Sequence, residues 1–139
     1  MPSIPSAGSI VIADLTGDQL VRVAADSTVA DVAAAIADNQ VGAVVIGDDE
    51  RPSALVTERD VVRVVASGQD PAAVRSIDVA STQLVWCEAD ETVDRAAIRM
   101  TDHQIRHLLV ERDGVLVGIV SARDLLGVYA TDVDQSDLV

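Results

Sequence analysis

The chain has 139 residues, enough for one compact domain or two very small ones, and at that size roughly two-thirds of the unfolded surface is buried without staples. Hydrophobic residues make up 49 %, yet there is no Phe and only one Trp and one Tyr, so the core must be built from Val, Ala, Leu and Ile. A net charge of −13 repels phosphate backbones, a single cysteine forms no internal disulfide, and no apolar run approaches the ~18 residues of a membrane span, which argues against nucleic acid, a disulfide framework and the bilayer.

In chain order, residues 1–9 read as an N-terminal tail with neither the basic nor the apolar part of a secretory signal, which predicts a cytoplasmic protein. Residues 20–23 are a short strand. Thr28 then opens a helix in which Val29, Val32, Ala33, Ile36 and Ala37 form one apolar stripe, and Thr28-x-x-Asp31 is a capping box. Residues 42–46 form a buried strand, Asp48-Asp49-Glu50 a turn and residues 54–56 a returning strand. The run Val61-Val62-Arg63-Val64-Val65 has strand-like composition, but it follows the cap Thr57 and is read as a helix. Gly68-Gln69-Asp70-Pro71 carries stop signals, so residues 68–74 are a linker.

The same order then recurs. Residues 84–87 are a strand, Thr92 opens a helix with Val93, Ala96, Ala97 and Met100, and residues 107–110 and 115–120 flank an Asp113-Gly114 hairpin turn. A last helix follows Ser121, and residues 130–139 read as a disordered acidic tail. Sliding the chain by 64 positions aligns the halves without a gap from about Asp14 to Leu126. Gln19-Leu20-Val21 falls on Gln83-Leu84-Val85, Asp38 and Gln40 on Asp102 and Gln104, and Arg59-Asp60 on Arg123-Asp124. Two copies of this length imply a duplicated supersecondary module, packed face to face about a pseudo-twofold axis, rather than a solenoid. The expected fold class is α/β (α+β), with two β-α-β-β-α repeats over residues 10–67 and 75–129.

The strand-to-helix junctions Leu55-Val56-Thr57-Glu58-Arg59-Asp60 and Ile119-Val120-Ser121-Ala122-Arg123-Asp124 carry the chemistry. In each, a hydroxyl closes a strand and a carboxylate follows three residues later. One reading is a helix cap and nothing more. In the other, helix N-terminal N–H groups and the hydroxyl of Thr57 or Ser121 receive a phosphate, while Asp60 or Asp124 accepts from a ribose diol. Arg59 and Arg123 would then offset repulsion between carboxylate and phosphate.

This ordered combination, given twice, resembles the CBS-domain family over residues 10–129. The resemblance implies a stand-alone tandem pair whose clefts take AMP, ADP, ATP, NAD-type or S-adenosyl ligands, and it places the ribose-and-phosphate signature on Thr57 with Asp60 and Ser121 with Asp124. It also implies a phosphate-facing role for Arg106 and His107, where copy one has Gly42 and Ala43 and supplies no charge. Copy two keeps the family's glycine as Gly118, whereas copy one has Ala54, and neither copy has the family's hairpin-strand proline. The two sites are therefore expected to be unequal. The implied function is a non-enzymatic sensor of an adenosine nucleotide, needing no cofactor, forming a homodimer and regulating another protein. The alternative is a ligand-free dimerisation or adaptor module.

Other reactive side chains have simpler readings. His103 and His107 are four apart, but one ends a helix and the other opens a strand, so no metal site is expected. Cys87 aligns with Val23 and reads as a buried hydrophobe, and Trp86 as a packing residue. No catalytic residues are assigned.

Overall fold

The computed structural model describes residues 7–15 and 20–137. It resolves into two compact units, one built from residues 20–84 and 114–116 and the other from residues 7–15, 85–113 and 117–137. In the first, β1 (Arg22–Val23), α1 (Val29–Asn39), β2 (Ala43–Ile46), β3 (Leu55–Thr57) and α2 (Glu58–Ala66) are followed by a single turn, α3 (Ser76–Val79). The second contains β4 (Trp86–Glu88), α4 (Val93–His103), β5 (His107–Arg112), β6 (Val115–Ser121) from its third residue on, and α5 (Ala122–Asp137). Each sheet has three strands, ordered β1-β2-β3 and β4-β5-β6. The outer strands β1 and β4 run parallel to their neighbours, with Arg22 opposite Val45 and Cys87 opposite Val110, while β3 returns antiparallel to β2. The mixed α/β class and the doubled element order are therefore as expected, with the first strand of each copy starting two residues later than composition indicated.

Local chemistry explains the boundaries. Thr28 Oγ1 accepts from the Asp31 amide at 3.2 Å and the Asp31 carboxylate accepts from the Thr28 amide at 2.9 Å, a reciprocal cap on α1. Thr92 Oγ1 likewise accepts from the Arg95 amide, at 3.3 Å. Both helices end on a glutamine in the left-handed region, Gln40 and Gln104, each at φ 54°. A left-handed residue stops a helix by turning its amide back onto the last turn, a task usually given to glycine. The hairpin joining β5 to β6 turns on Asp113 and Gly114 at φ 55° and 81°, the paired positive values of a type I′ turn. The Val-rich α2 is helical, as its cap and its copy in α5 required.

Packing follows the stripes. Val32, Val44, Ile46 and Val56 form the first core, and Cys87, Val93, Ala96, Met100, Leu108, Val110 and Val120 the second. Fully burying a valine or leucine contributes about 1.5–3 kcal/mol, so small side chains suffice when packed without voids.

Two features differ from expectation. Residues 130–139 were expected to be disordered, yet α5 continues to Asp137; residues 138–139 lie outside the described residues. No glycine or proline follows Gly127 to stop the helix, and extending an existing helix is far easier than nucleating one. The repeat also reaches further back than side-chain identity showed. Val29 N donates to Val74 O at 2.9 Å and Ser76 N to Ser27 O at 2.9 Å; their counterparts 64 positions away are Val93 N to Ile10 O at 2.8 Å and Ile12 N to Glu91 O at 2.7 Å. Residues 10–15, which spacing groups with the first copy, thus bond to the second, and residues 71–81 bond to the first. In the first unit this leading segment also covers the open edge of β3, through Leu55 and Ser81.

The docking of α3 includes a buried hydroxyl pair, Ser27 Oγ and Ser76 Oγ, 2.8 Å apart. Ser76→Ala should therefore cost about 1–3 kcal/mol in urea unfolding because it strands the Ser27 hydroxyl, whereas the double Ser27→Ala/Ser76→Ala variant should cost less than the two single losses added together. Strict additivity would contradict the pairing.

Candidate functional site

Both strand–helix corners are built alike. At the end of β3 the Thr57 amide donates to Asp60 Oδ2 at 2.9 Å, and Thr57 Oγ1 donates to the same oxygen at 3.2 Å. At the end of β6 the Ser121 amide donates to Asp124 Oδ2 at 2.8 Å, and Ser121 Oγ accepts from the Asp124 amide at 3.1 Å. Each corner is also tied to the start of the preceding strand: Glu58 N donates to Gly42 O at 3.0 Å and Ala122 N to Arg106 O at 2.8 Å. The helix-capping reading is thus realised in both copies. One carboxylate oxygen closes the corner, and Oδ1 is the oxygen left over from that task.

In the second unit these bonds gather Ser121, which is buried, with half-buried Asp124 and the start of β5, where Arg106 is exposed and His107 half-buried. Arg123 is exposed in the first turn of α5. A hollow of about 330 Å³ lies beside β6, lined by Ile12, Ala13, Leu15, Ala89, Val110, Arg112 and residues 117–120. Arg112 is the one charged side chain in this lining, and backbone and guanidinium together make the exposed wall about as polar as apolar. In the first unit Thr57 and Asp60 are half-buried and Arg59 is exposed. Asp60 lines a smaller hollow of about 200 Å³ with Arg63, Val64, Ser67, Gln69 and Val79.

The cation beside Asp60 is Arg63, with Nη1 3.9 Å from Oδ1. Residues three apart share a helix face and adjacent ones do not, which is why Arg63 rather than Arg59 reaches the carboxylate. Its position in copy two is Gly127. Arg63 and Arg112 were not singled out from the sequence. The Asp60-x-x-Arg63 spacing carried a signal for the first; Arg112 aligns with Asp48 and carried none.

The remaining side chains fall into place around the second sheet. Cys87 is 2 % exposed, and burial, reinforced by the charge of Glu91, pushes its thiol up to about 12. That is an inert, packed thiol. The Trp86 carbonyl accepts from Arg99 Nη1 at 2.5 Å, and Arg99 Nη2 also holds Glu91 at 2.8 Å. His103 is the last residue of α4 and His107 the first of β5, so left-handed Gln104 separates them onto different elements.

Glu88 and Glu111 face each other across the parallel β4–β5 register. Local desolvation first, then the charge and hydrogen bond of Glu111, raises the Glu88 carboxyl above its ordinary value. A carboxyl raised on folding contributes stability below its unfolded pKa and loses it as pH rises through the folded one. Glu111→Gln should therefore raise the melting temperature at neutral pH, with the gain shrinking as the medium is acidified through the range where Glu88 protonates; a gain that grows in acid would contradict the pairing.

Comparison with known proteins matches two stretches, residues 12–67 and 74–131, to the CBS domain. An uncharacterised protein of Methanopyrus kandleri is 31 % identical over 123 residues, covering 86 % of this chain and 63 % of its own length. The chain therefore spans less than two-thirds of that relative. The CBS domain-containing protein YhcV of Bacillus subtilis is 30 % identical over 115 residues, 82 % of this chain and 81 % of the relative. Among solved structures, the CBS domain protein PAE2072 of Pyrobaculum aerophilum, complexed with AMP, superposes with a TM-score of 0.76 at 32 % identity over 88 % of this chain and 99 % of that one.

Proposed function

The chain belongs to the CBS-domain family as a tandem pair, and from that premise we propose that it is a non-enzymatic regulatory module binding an adenosine nucleotide, with AMP the first candidate. The observation that carries this reading is the duplicated corner, in which a hydroxyl and a carboxylate already held in place leave one carboxylate oxygen for a ligand diol. A charged acceptor makes the stronger bond to a ribose hydroxyl. In the second unit the adenine would lie against the Ile12, Leu15 and Val110 side chains of the 330 Å³ hollow, a size at the lower end for small-ligand pockets, with the ribose reaching out of it to Asp124 and the phosphate toward Ser121, Arg106, His107 and Arg123. In the first unit Thr57, Arg59 and Asp60 would serve a second ligand, with Arg63 competing for Asp60 and weakening that site. The AMP found in the Pyrobaculum structure supports the choice of ligand.

The pair would act as a sensor and not as an enzyme, biasing a partner protein when its ligand favours one surface state. Among the described residues no helix is long and apolar enough to cross a membrane, in keeping with the proposed cytoplasmic location.

Thermal denaturation with AMP, ADP, ATP, NAD and S-adenosylmethionine tests the nucleotide reading. A ligand at 100 times its dissociation constant adds about 2.7 kcal/mol, a shift of several degrees. Asp124→Asn keeps an acceptor for the Ser121 amide but gives up the charge. It should hold the ligand-free melting temperature near that of the parent and remove most of the AMP shift. An undiminished shift in Asp60→Asn/Asp124→Asn would sink the ribose assignment.

The homodimer is proposed on a separate observation. Val62 and Val65 on α2 are 63 % and 60 % exposed, and Leu126, at the repeat-equivalent position of Val62, is 67 % exposed. Apolar side chains recurring at the same helical place in both copies fit a self-association surface. Sedimentation should give twice the chain mass for the parent and the single mass for Val62→Asp/Leu126→Asp; a monomeric parent at tens of micromolar would refute it.

A further inference from the structure

The single turn Ala7–Ser9 packs on α4 and α5 of the second unit. Beneath it the Tyr129 hydroxyl donates to Asp94 Oδ1, and burial, with the adjoining carboxylate of Asp94, pushes that phenol up to about 12, so the proton stays on Tyr129. Gly8 lies directly over this pair: a β-carbon there would overlap the Asp94 carboxylate. Its backbone conformation does not demand glycine; a larger side chain there would have to push the Asp94 carboxylate aside.

The first unit has the same leading segment at residues 71–79, docked by the equivalent backbone bonds, but not the same side chains. Sixty-four positions from Gly8, Asp94 and Tyr129 stand Ala72, Ala30 and Val65. All three members have changed together, so docking of a leading segment does not itself require them. The docked segment continues from Gly8 through Ile12, Ala13 and Leu15, which form one side of the 330 Å³ hollow, and is pinned there by Ile12 N to Glu91 O at 2.7 Å, Ala13 N to Ala89 O at 2.8 Å and Val93 N to Ile10 O at 2.8 Å.

We infer that Gly8, Asp94 and Tyr129 form a clamp whose closure sets the position of residues 10–15 as one wall of that hollow, coupling occupancy of the hollow to the seating of α5. They are positioning residues and touch no ligand. The ligand arm of this inference rests on the nucleotide reading; the clamp itself does not. If the hollow's ligand needs the wall in place, whatever loosens the wall weakens the ligand by the same factor, and the bound ligand in turn tightens the wall.

Amide hydrogen exchange on the full chain reads the clamp without ligand. In Tyr129→Phe and Gly8→Ala the amides of Ile12, Ala13 and Val93 should exchange about tenfold faster, within the span usual for coupled sites. Asp94→Asn, which keeps an acceptor for the phenol, should stay near the parent. The amides of Val29, Ala30 and Ser76, which dock the other leading segment, should be unmoved in all three. AMP titration should show affinity falling by a matching factor in the first two variants only. Unchanged exchange at Ile12, Ala13 and Val93 in both Tyr129→Phe and Gly8→Ala would overturn the clamp. Faster exchange with unaltered AMP affinity would overturn the coupling. Absence of AMP binding to the parent would remove the nucleotide reading, and exchange would then decide the clamp alone.

Discussion

The bond from a strand-ending amide to the carboxylate three residues later, Thr57 to Asp60 and Ser121 to Asp124, fixes both the fold and the candidate site. It turns the chain from the last strand of each sheet into its helix, and it holds the acid at a set place beside the hydroxyl. A carboxylate fixed by a backbone donor is already ordered before any ligand arrives, so little rotamer entropy remains to be lost on binding. The capping and binding readings of these residues are therefore compatible: one oxygen closes the helix, and that bond does not occupy the other. The carbonyls of Gly42 and Arg106, each accepting from the first amide of its helix, extend the same constraint to the start of β2 and β5.

Around this shared frame the two copies have diverged in their charges. Copy two brings Arg106 and His107 to its corner and leaves Gly127 where copy one has Arg63. Copy one has no charge at Gly42, and its Asp60 sits 3.9 Å from Arg63. The guanidinium beside Asp60 has no counterpart at Gly127, so the two corners differ in where their positive charge comes from. The Gly8–Asp94–Tyr129 arrangement extends the divergence to the leading segments.

The repeat made most of the architecture legible. Helix α2, ambiguous by itself, became clear because its copy in α5 is less β-branched and starts after the same kind of cap, and the Thr28 cap and the Asp113-Gly114 turn follow from local chemistry that sequence records directly. What escaped notice was carried by backbone or by distance. The exchange of leading segments rests on main-chain bonds such as Ile12 N to Glu91 O and Ser76 N to Ser27 O, which leave no side-chain signature. The helical extension to Asp137 depends on the absence of a stop rather than on any apolar period. Tyr129 and Asp94 lie 35 residues apart and have no counterparts in the first copy, so the repeat could not point to them. Arg63 alone was within reach, through its helical spacing from Asp60.

A crystal structure of the protein with AMP tests the account most directly. The ribose hydroxyls should lie within hydrogen-bonding distance of Asp124 Oδ1, with the Ser121 amide still donating to Oδ2. Nucleotide bound elsewhere, or an Asp124 that must release its helix cap to reach the sugar, would contradict it.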